Sequence, residues 1–193
     1  MSTLHSSNVA QPTVLVLASG RGERFLASGG SVHKLQALLG GTAVLERTLA
    51  AVRASGLPWH LEQARHAGMG DSIAAAVRAT PGLGGWLVLP ADLPLIAPNS
   101  LRRVAALLAE GGQAAVVPWV DGTHAHPVGF AASAGPQLLA LRGDEGAKSV
   151  LRGLRAAHAV ADITLDDIGA VTDIDTLADL AAAERLLARL SAG

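Results

Sequence analysis

The chain has 193 residues, of which half are hydrophobic but only 3% are aromatic, and it carries 15 basic and 16 acidic side chains. A net charge near zero argues against a protein that binds nucleic acid or a membrane surface, and the absence of cysteine excludes disulfides and thiolate metal sites. Residues 1–12 are polar and lack the basic and apolar segments of a signal peptide. We therefore predict a disordered N-terminal tail over 1–12, a single domain over 13–193 and a cytoplasmic location.

The first predicted element is a buried strand over residues 14–17, a run of valine and leucine. It leads into a loop, residues 18–24, that contains two glycines and two arginines. Glycine lets backbone N–H groups approach an anion closely, and Arg24 and Lys34 add the positive charge that a phosphate chain requires. The loop is therefore a candidate phosphate site, and the alternative is an ordinary turn between a strand and a helix.

Neither of the two best-known phosphate loops describes this stretch. The dinucleotide fingerprint requires a third glycine where Phe25 stands. The P-loop requires Gly-Lys-Ser/Thr, whereas here Lys34 lies between His33 and Leu35. A phosphate site in this chain must therefore follow another pattern.

Helix and strand patterns alternate along the rest of the chain. Helices are predicted over residues 42–56, 73–79, 101–109, 136–141, 146–154 and from about 176 onward. Strands are predicted over residues 57–61, 86–89, 114–118, 127–132 and 159–165. Such alternation is typical of a Rossmann-like, three-layer α/β/α fold with a mostly parallel sheet. Ligands of such sheets bind at the carboxyl ends of the strands, which singles out the loops 19–34, 68–72 and 91–94.

Two of these loops contain further candidate residues. Asp92 directly follows a predicted strand between two stiffening prolines, so its carboxylate can hold Mg²⁺ or simply stabilise the turn. Gly68 and Gly70 can hold a base edge or a ribose through backbone contacts. They can equally well precede a plain helix that Asp71 and Ser72 cap.

These segments resemble the MobA-like NTP transferase family over about residues 13–183. The family opens with Leu-Ala-Ala/Gly-Gly-x-x-x-Arg-Met-Gly and then Lys-Leu, which is similar to residues 17–20, Arg24 and Lys34-Leu35. Phe25-Leu26 replaces Met-Gly, and residues 27–33 lengthen the gap before the lysine. Five further segments match the family's motifs, at residues 68–73, 90–94, 126–130, 143–148 and 172–180.

The resemblance implies a Mg²⁺-dependent nucleotidyltransferase, in which an acceptor phosphate attacks the α-phosphorus of a nucleoside triphosphate and pyrophosphate leaves. Catalytic roles fall to Arg24, Lys34 and Asp92, and the magnesium ligands are Asp92 and Asp173. Asp175 is then a cap of the last helix or a supporting partner of the ligand. The implied nucleotide-binding residues are Leu17, Ala18, Ser19, Gly20, Arg21, Gly22, Lys34, Gly68, Gly70, Ser72 and Asp92. The implied acceptor-side residues are His126, Pro127, Asp144 and Gly146.

In this family the acceptor is usually molybdopterin or the molybdenum cofactor, and a molybdoenzyme can receive the product. Users of CTP tend to carry Leu-Ala-Ala-Gly and a His-Pro-Val segment, whereas users of GTP carry Leu-Ala-Gly-Gly and lack that segment. Ser19 fits neither pattern, and His126-Pro127-Val128 favours CTP, with GTP as the alternative. A second alternative is a non-catalytic nucleotide-binding accessory protein of a molybdoenzyme. It follows from the altered first loop and from residues 57–67, which are shorter than the strand, loop and helix that the family normally has there.

Overall fold

The computed structural model describes residues 10–191 of the chain. Most of the predicted tail, residues 1–9, lies outside this range, while Pro12 is buried just before the first strand. The strands are β1 (Thr13–Leu17), β2 (Leu38–Leu39), β3 (Thr42–Ala43), β4 (Trp59–Glu62), β5 (Trp86–Pro90), β6 (Ala115–Val120), β7 (Thr123–His124), β8 (Val128–Phe130) and β9 (Val160–Thr164). The helices are α1 (Glu23–Ala27), α2 (Val44–Ser55), α3 (Met69–Arg78), α4 (Pro98–Ala109), α5 (Gly135–Leu139), α6 (Lys148–Ala156) and α7 (Leu177–Leu190).

The main sheet has seven strands and is mostly parallel. Its order runs β4-β1-β5-β8-β6, with β7 and β9 both paired to β6. β1 pairs in parallel with β4 on one side and β5 on the other, and β6 pairs in parallel with β9. Only β7 and β8 run antiparallel to their neighbours in this sheet. The predicted α/β fold is confirmed, and β1 and β5 end side by side at one edge.

Apolar side chains fill both faces of the sheet, because successive residues of a strand point to opposite sides. Val14 and Val16 of β1 belong to a core packed under α2, α4 and α7. Leu15 and Leu17 of the same strand belong to a second core, packed under α3, α5 and α6. Within residues 10–191, none of the helices combines the length and the apolar character that a membrane crossing would require.

One predicted helix start is wrong. α3 begins at Met69, directly after an extended Gly68, so Asp71 and Ser72 lie inside its first turn rather than capping it. The Gly70 N–H donates to the Gly143 carbonyl at 2.7 Å, and the Asp71 carboxylate accepts from the Gly143 N–H at 2.9 Å. Contacts with a loop 70 residues further along the chain therefore define this helix start, and sequence periodicity could not detect them.

The short segment between α2 and α3 forms a single strand at the edge of the sheet. β4 ends at Glu62, whose side chain is only 10% exposed and lies between two histidines. His66 Nε2 is 3.2 Å from one carboxylate oxygen of Glu62 and His60 Nε2 is 3.7 Å from the other. The Ala64 N–H also donates to this carboxylate, at 2.9 Å. Burial alone would raise the pKa of Glu62, but the neighbouring His66, Ala64 N–H and His60 together lower it.

The lowered pKa of Glu62 makes its contribution to stability dependent on pH. Since the folded-state pKa lies below the unfolded value, the carboxylate stabilises the fold at neutral pH, and this contribution disappears as the pH falls through the folded-state value. We expect Glu62→Gln to lower the free energy of unfolding by about 1–2 kcal/mol at neutral pH. The difference from wild type, measured by urea denaturation, should shrink between about pH 5 and about pH 3.

Glu46 provides a matched control, because it forms an exposed ion pair with Arg53 at 3.3 Å. Glu46→Gln should change the free energy of unfolding by less than about 0.5 kcal/mol. A deficit in Glu62→Gln that stays constant across the acid range would contradict the assigned role of the Glu62 charge.

Candidate active site

The loop after β1 presents four backbone N–H groups in a row that lack internal partners. Ala18 still donates to the Glu62 carbonyl at 2.8 Å, but none of the N–H groups of residues 19–22 donates a hydrogen bond within residues 10–191. Gly22, with φ of 65°, then turns the chain into α1. Consecutive unpartnered N–H groups at the end of a strand create a concave surface suited to an anion.

The additional residues 27–33 fold back onto this loop and keep Lys34 next to it. His33 Nδ1 accepts a hydrogen bond from the Leu35 N–H at 3.3 Å, which leaves Nε2 as the nitrogen that donates to the Gly20 carbonyl at 2.9 Å. The same ring lies against Gly22, where an added Cβ would be 3.1 Å from it. The lengthened gap is therefore fastened to the loop at Gly20.

Lys34 lies between two carboxylates. Its Nζ donates to Asp92 Oδ2 at 2.6 Å and to Asp175 Oδ1 at 2.6 Å, and its side chain is only 13% exposed. Burial alone would lower the pKa of Lys34, but Asp92 and Asp175 together raise it, so the ammonium is charged. The hydrogen bond from Lys34 is in turn the main reason why the pKa of Asp175 is lowered.

Backbone hydrogen bonds hold the two carboxylates in place. The Ala91 N–H donates to the Leu17 carbonyl at 3.1 Å, which fastens the turn after β5 to the end of β1. The Asp92 carbonyl accepts from the Ile174 N–H at 3.0 Å, which brings the segment before α7 to the same place. Beneath them, the fully buried Thr48 of α2 donates to the Ala91 carbonyl at 2.9 Å.

Of the two roles predicted for Asp175, the structure contradicts the helix cap. Thr176 caps α7 in a capping box with Asp179, in which each side chain bonds the backbone of the other residue. Asp175 instead accepts from Lys34 and, at 2.8 Å, from the Arg24 guanidinium, which is 80% exposed. The segment before α7 therefore contributes a charged group to the site and leaves capping to its neighbour.

Asp173 lies in the same segment. Although Asp173 is at the surface, partial desolvation raises its pKa, and the nearby Asp92 and Asp175 carboxylates act in the same direction. The negative charge of Asp92 and Asp175 is thus felt at Asp173, and a cation bound nearby would lower the repulsion.

A cavity of about 540 Å³ opens beside this charged cluster. Its wall includes these predicted residues: Ser19, Gly20, Arg21, Gly22, Arg24, Lys34, Gly68 and Asp144. It also includes residues that were not among the predicted catalytic, nucleotide-binding, acceptor-side or metal residues: Glu23, Phe25, His66, Ala67, Met69 and Asp175. The other predicted site residues do not line this cavity: Leu17, Ala18, Gly70, Ser72, Asp92, His126, Pro127, Gly146 and Asp173.

Some of the predicted residues that do not line the cavity form hydrogen bonds to its wall or to a loop that carries part of the wall. The Ser19 hydroxyl donates to the fully buried Ser72 hydroxyl of α3 at 2.7 Å. Gly70 is bonded to the loop that contains Asp144, so the two sides of the cavity are joined.

His126, in the connection between β7 and β8, has a buried Nδ1 without a hydrogen-bond partner within residues 10–191. Burial lowers the pKa of this imidazole.

The carboxylate oxygens of this cluster suit a hard divalent cation that takes its remaining ligands from a bound molecule. Asp92 Oδ1 is buried and has no hydrogen-bond partner within residues 10–191. Across the same range, no three His, Asp or Glu side chains form a group able to hold a metal by themselves. A cation here would therefore take part of its ligands from elsewhere, as Mg²⁺ does when it bridges a carboxylate and a phosphate chain.

Comparison with known proteins supports the fold and identifies the family. The chain is 32% identical over 120 residues to purine catabolism protein PucB of Bacillus subtilis, a match that spans 61% of this chain and 56% of PucB. The fold matches that of Rv0371c from Mycobacterium tuberculosis with a TM-score of 0.75 at 22% identity, covering 92% of this chain and 98% of that one. A structure of Rv0371c in complex with manganese matches with a TM-score of 0.68 at 21% identity, covering 91% and 98% of the two chains.

A more distant likeness in fold is to molybdopterin-guanine dinucleotide biosynthesis protein A of Archaeoglobus fulgidus. That match has a TM-score of 0.61 at 20% identity and covers 92% of this chain and 99% of the other. The sequence profile of the MobA-like NTP transferase domain matches residues 14–161. That range contains the loop after β1, the charged turn after β5 and most of the cavity wall, and the chain belongs to the MobA-like NTP transferase family.

Proposed function

We propose that the chain is a Mg²⁺-dependent nucleotidyltransferase that transfers CMP from CTP to the phosphate of molybdopterin or of the molybdenum cofactor. A phosphate oxygen of the acceptor attacks the α-phosphorus, the bond from that phosphorus to the bridging oxygen breaks, and pyrophosphate leaves. One observation carries the proposal: a row of N–H groups without hydrogen-bond partners within residues 10–191 ends next to a cluster of two cations and two carboxylates. Such a site binds, orients and neutralises phosphates, which is most of what phosphoryl transfer requires of a protein.

The loop after β1 supplies the contacts for the triphosphate. Its N–H groups at residues 19–22 are free to donate, and glycines at two of the four positions leave room for close approach. Arg24 and Lys34 both reach this side of the site and can balance the charge that moves onto the leaving pyrophosphate. None of these groups acts as a nucleophile, because the acceptor phosphate itself attacks.

Asp92, with Asp173 as its partner, would hold the magnesium ion. The buried Asp92 Oδ1, which has no hydrogen-bond partner within residues 10–191, is an oxygen of the kind that Mg²⁺ prefers. Asp173 is exposed in the segment before α7, two residues from Asp175. When bound, the ion supplies Lewis-acid neutralisation of the phosphate oxygens. The manganese complex of the mycobacterial Rv0371c supports a divalent cation for proteins of this fold.

The preference for CTP is supported by two features of the chain. His126-Pro127-Val128 is similar to the segment of CTP users in the family, and Ser19 adds a side chain where GTP users have glycine. The Ser19 hydroxyl is held against Ser72, so its bulk stays on the cavity wall. A fixed hydroxymethyl group crowds a purine more than a pyrimidine.

The acceptor would bind on the opposite side of the cavity. Asp144 lines that side, and the turn that contains it is bonded to the start of α3 through Gly143. His126 and Pro127 lie at the end of β8 that faces the turn after β5. The molybdenum-containing acceptor, the molybdoenzyme that takes up the product and a cytoplasmic location belong to this same proposal.

The direct test measures pyrophosphate release by the purified chain with Mg²⁺, molybdopterin, and either CTP or GTP. Release with CTP, dependent on the acceptor, supports the proposal. Release with GTP alone would replace it with guanylyl transfer. Nucleotide binding without release under either condition would indicate an accessory protein that does not turn over.

The first prediction concerns the metal. Asp92→Asn keeps the shape of the side chain but removes its charge, so Mg²⁺-dependent turnover should fall by about 100-fold or more while the thermal unfolding transition persists. Asp166→Asn is the matched control, since Asp166 is exposed and follows β9. A near-normal rate with unchanged magnesium dependence in Asp92→Asn would reduce Asp92 to a turn residue.

The second prediction concerns the two cations. Lys34→Ala should lower kcat/KM by about two to three orders of magnitude, because it removes stabilisation of the developing phosphoryl charge. Arg24→Ala should act in the same way. The double variant should lose less than the sum of the two effects, since both cations contact Asp175 and serve one charge. Full activity in Lys34→Ala would mean that Lys34 has only a structural role.

The third prediction concerns the choice of base. Wild type should prefer CTP over GTP by about 10- to 100-fold in kcat/KM, and Ser19→Gly should narrow this preference by admitting guanine. Ser72→Ala separates the hydrogen bond from the bulk, because it removes the hydroxyl partner of Ser19 but keeps the Ser19 side chain, so it should narrow the preference less than Ser19→Gly does. A preference for GTP in wild type, or a ratio indifferent to Ser19, would refute the idea.

A further inference from the structure

The Lys34 ammonium is held by two carboxylates, which accept from two of its three N–H donors. It reaches Asp92 and Asp175 with two equally short hydrogen bonds of 2.6 Å. Charge-assisted bonds of this length, between side chains that are 13%, 15% and 31% exposed, are strong and poorly screened by solvent. Asp92 is also the carboxylate that was assigned above, with Asp173, to a divalent cation.

The hydrogen bonds made by each carboxylate oxygen show which of these oxygens the Lys34 ammonium occupies. Lys34 uses one oxygen of Asp92, and the other is buried without a partner within residues 10–191. Lys34 and Arg24 together use both oxygens of Asp175. A divalent cation that approaches this cluster therefore finds one oxygen of Asp92 without a partner, while the other oxygen of Asp92 and both oxygens of Asp175 are already bonded to cationic side chains.

We infer that Lys34 is the resident counter-cation of this cluster, and that a divalent cation binds Asp92 and its neighbours only when Lys34 leaves them. In the free protein, only molecules from which the ammonium has moved away can bind the metal, so the apparent metal affinity is lowered in proportion to that fraction of molecules. The arriving triphosphate provides alternative oxygens for Lys34, so nucleotide and metal strengthen each other's binding through this one side chain. This last step rests on the proposed function, whereas the competition between Lys34 and the metal does not.

Arg24 allows competition for ligands to be distinguished from simple charge repulsion. Both side chains carry one positive charge and both contact Asp175, but Arg24 is 80% exposed and does not contact Asp92. Removing either charge lowers the positive potential at the cluster. Only removal of Lys34 frees an oxygen of Asp92.

The experiment measures binding of Mn²⁺ alone, without nucleotide, to wild type, Lys34→Gln and Arg24→Gln by calorimetry. Lys34→Gln should bind Mn²⁺ at least about fivefold more tightly than wild type. Arg24→Gln should change the dissociation constant by about twofold, as expected of an exposed ion pair. Equal or weaker binding in Lys34→Gln, or the same gain in both variants, would overturn the inference.

A second measurement uses wild type and does not depend on the folding of a variant. The chain has only two lysines, Lys34 and the exposed Lys148, so a sample labelled at lysine Cε gives two signals, which Lys148→Arg assigns. During a titration with Mg²⁺, the Lys34 signal should move with the same midpoint as the rise in Tm, and the Lys148 signal should stay. A rise in Tm that levels off with the Lys34 signal unmoved would overturn the inference.

Neither readout involves turnover, so the two proposals fail separately. An active transferase in which Lys34→Gln leaves Mn²⁺ affinity unchanged would contradict the inference alone. A chain that never releases pyrophosphate but shows the predicted Mn²⁺ affinities would contradict the proposed reaction alone.

Discussion

The ammonium group of Lys34 joins three parts of the chain that are far apart in sequence. It bonds Asp92, 58 residues away at the end of β5, and Asp175, 141 residues away before α7. A charged group this far from solvent requires partners, because the cost of removing an unpaired charge from water is several kcal/mol. The position of Lys34 therefore depends on the sheet, which places the end of β5 beside the end of β1. The arrangement of the charged cluster follows from this pairing.

The loop after β1 complements the charged cluster with uncharged donors. Its four free N–H groups lie beside cations that are already balanced by carboxylates, so the site combines fixed dipoles with exchangeable ion pairs. A bound triphosphate would accept hydrogen bonds from the N–H groups of the loop and would compete with the carboxylates for the cationic side chains. The proposed coupling of metal and nucleotide binding is a consequence of this combination, and the same free N–H groups support nucleotide binding even without turnover.

The short segment between α2 and α3 leaves the sheet with β4 as its edge strand, yet the cavity keeps a wall on that side. His66 and Ala67 line it, and Glu62 holds His66 in place from the end of β4. A buried carboxylate and its two neighbouring histidines therefore lie behind and within this part of the wall, which differs in composition from the glycine-containing loop after β1.

Local sequence determined the fold class and the candidate residues in the loop after β1 and in the turn after β5. Runs of valine and leucine such as residues 14–17, the alternation of helices and strands, and glycine-rich loops at strand ends depend on short-range interactions, so they can be recognised without a structure. Arg24, Lys34 and Asp92 were singled out by their charge and position in the sequence, and the resemblance to a known family added the catalytic roles predicted for them. The structure brings these three side chains to one edge of the sheet.

Tertiary structure alone decided which partner each polar group has. Asp175 reads locally as a helix cap, yet Thr176 takes that role and Asp175 binds two distant cations. Asp71 reads as the cap of α3, yet it accepts from Gly143, and His33 and His66 gave no local signal for their parts in the site. Each of these contacts joins segments whose separation in sequence bears no relation to their distance in space. A carboxylate or an imidazole serves equally well in a cap, an ion pair or a cavity wall, and only the folded chain selects among them.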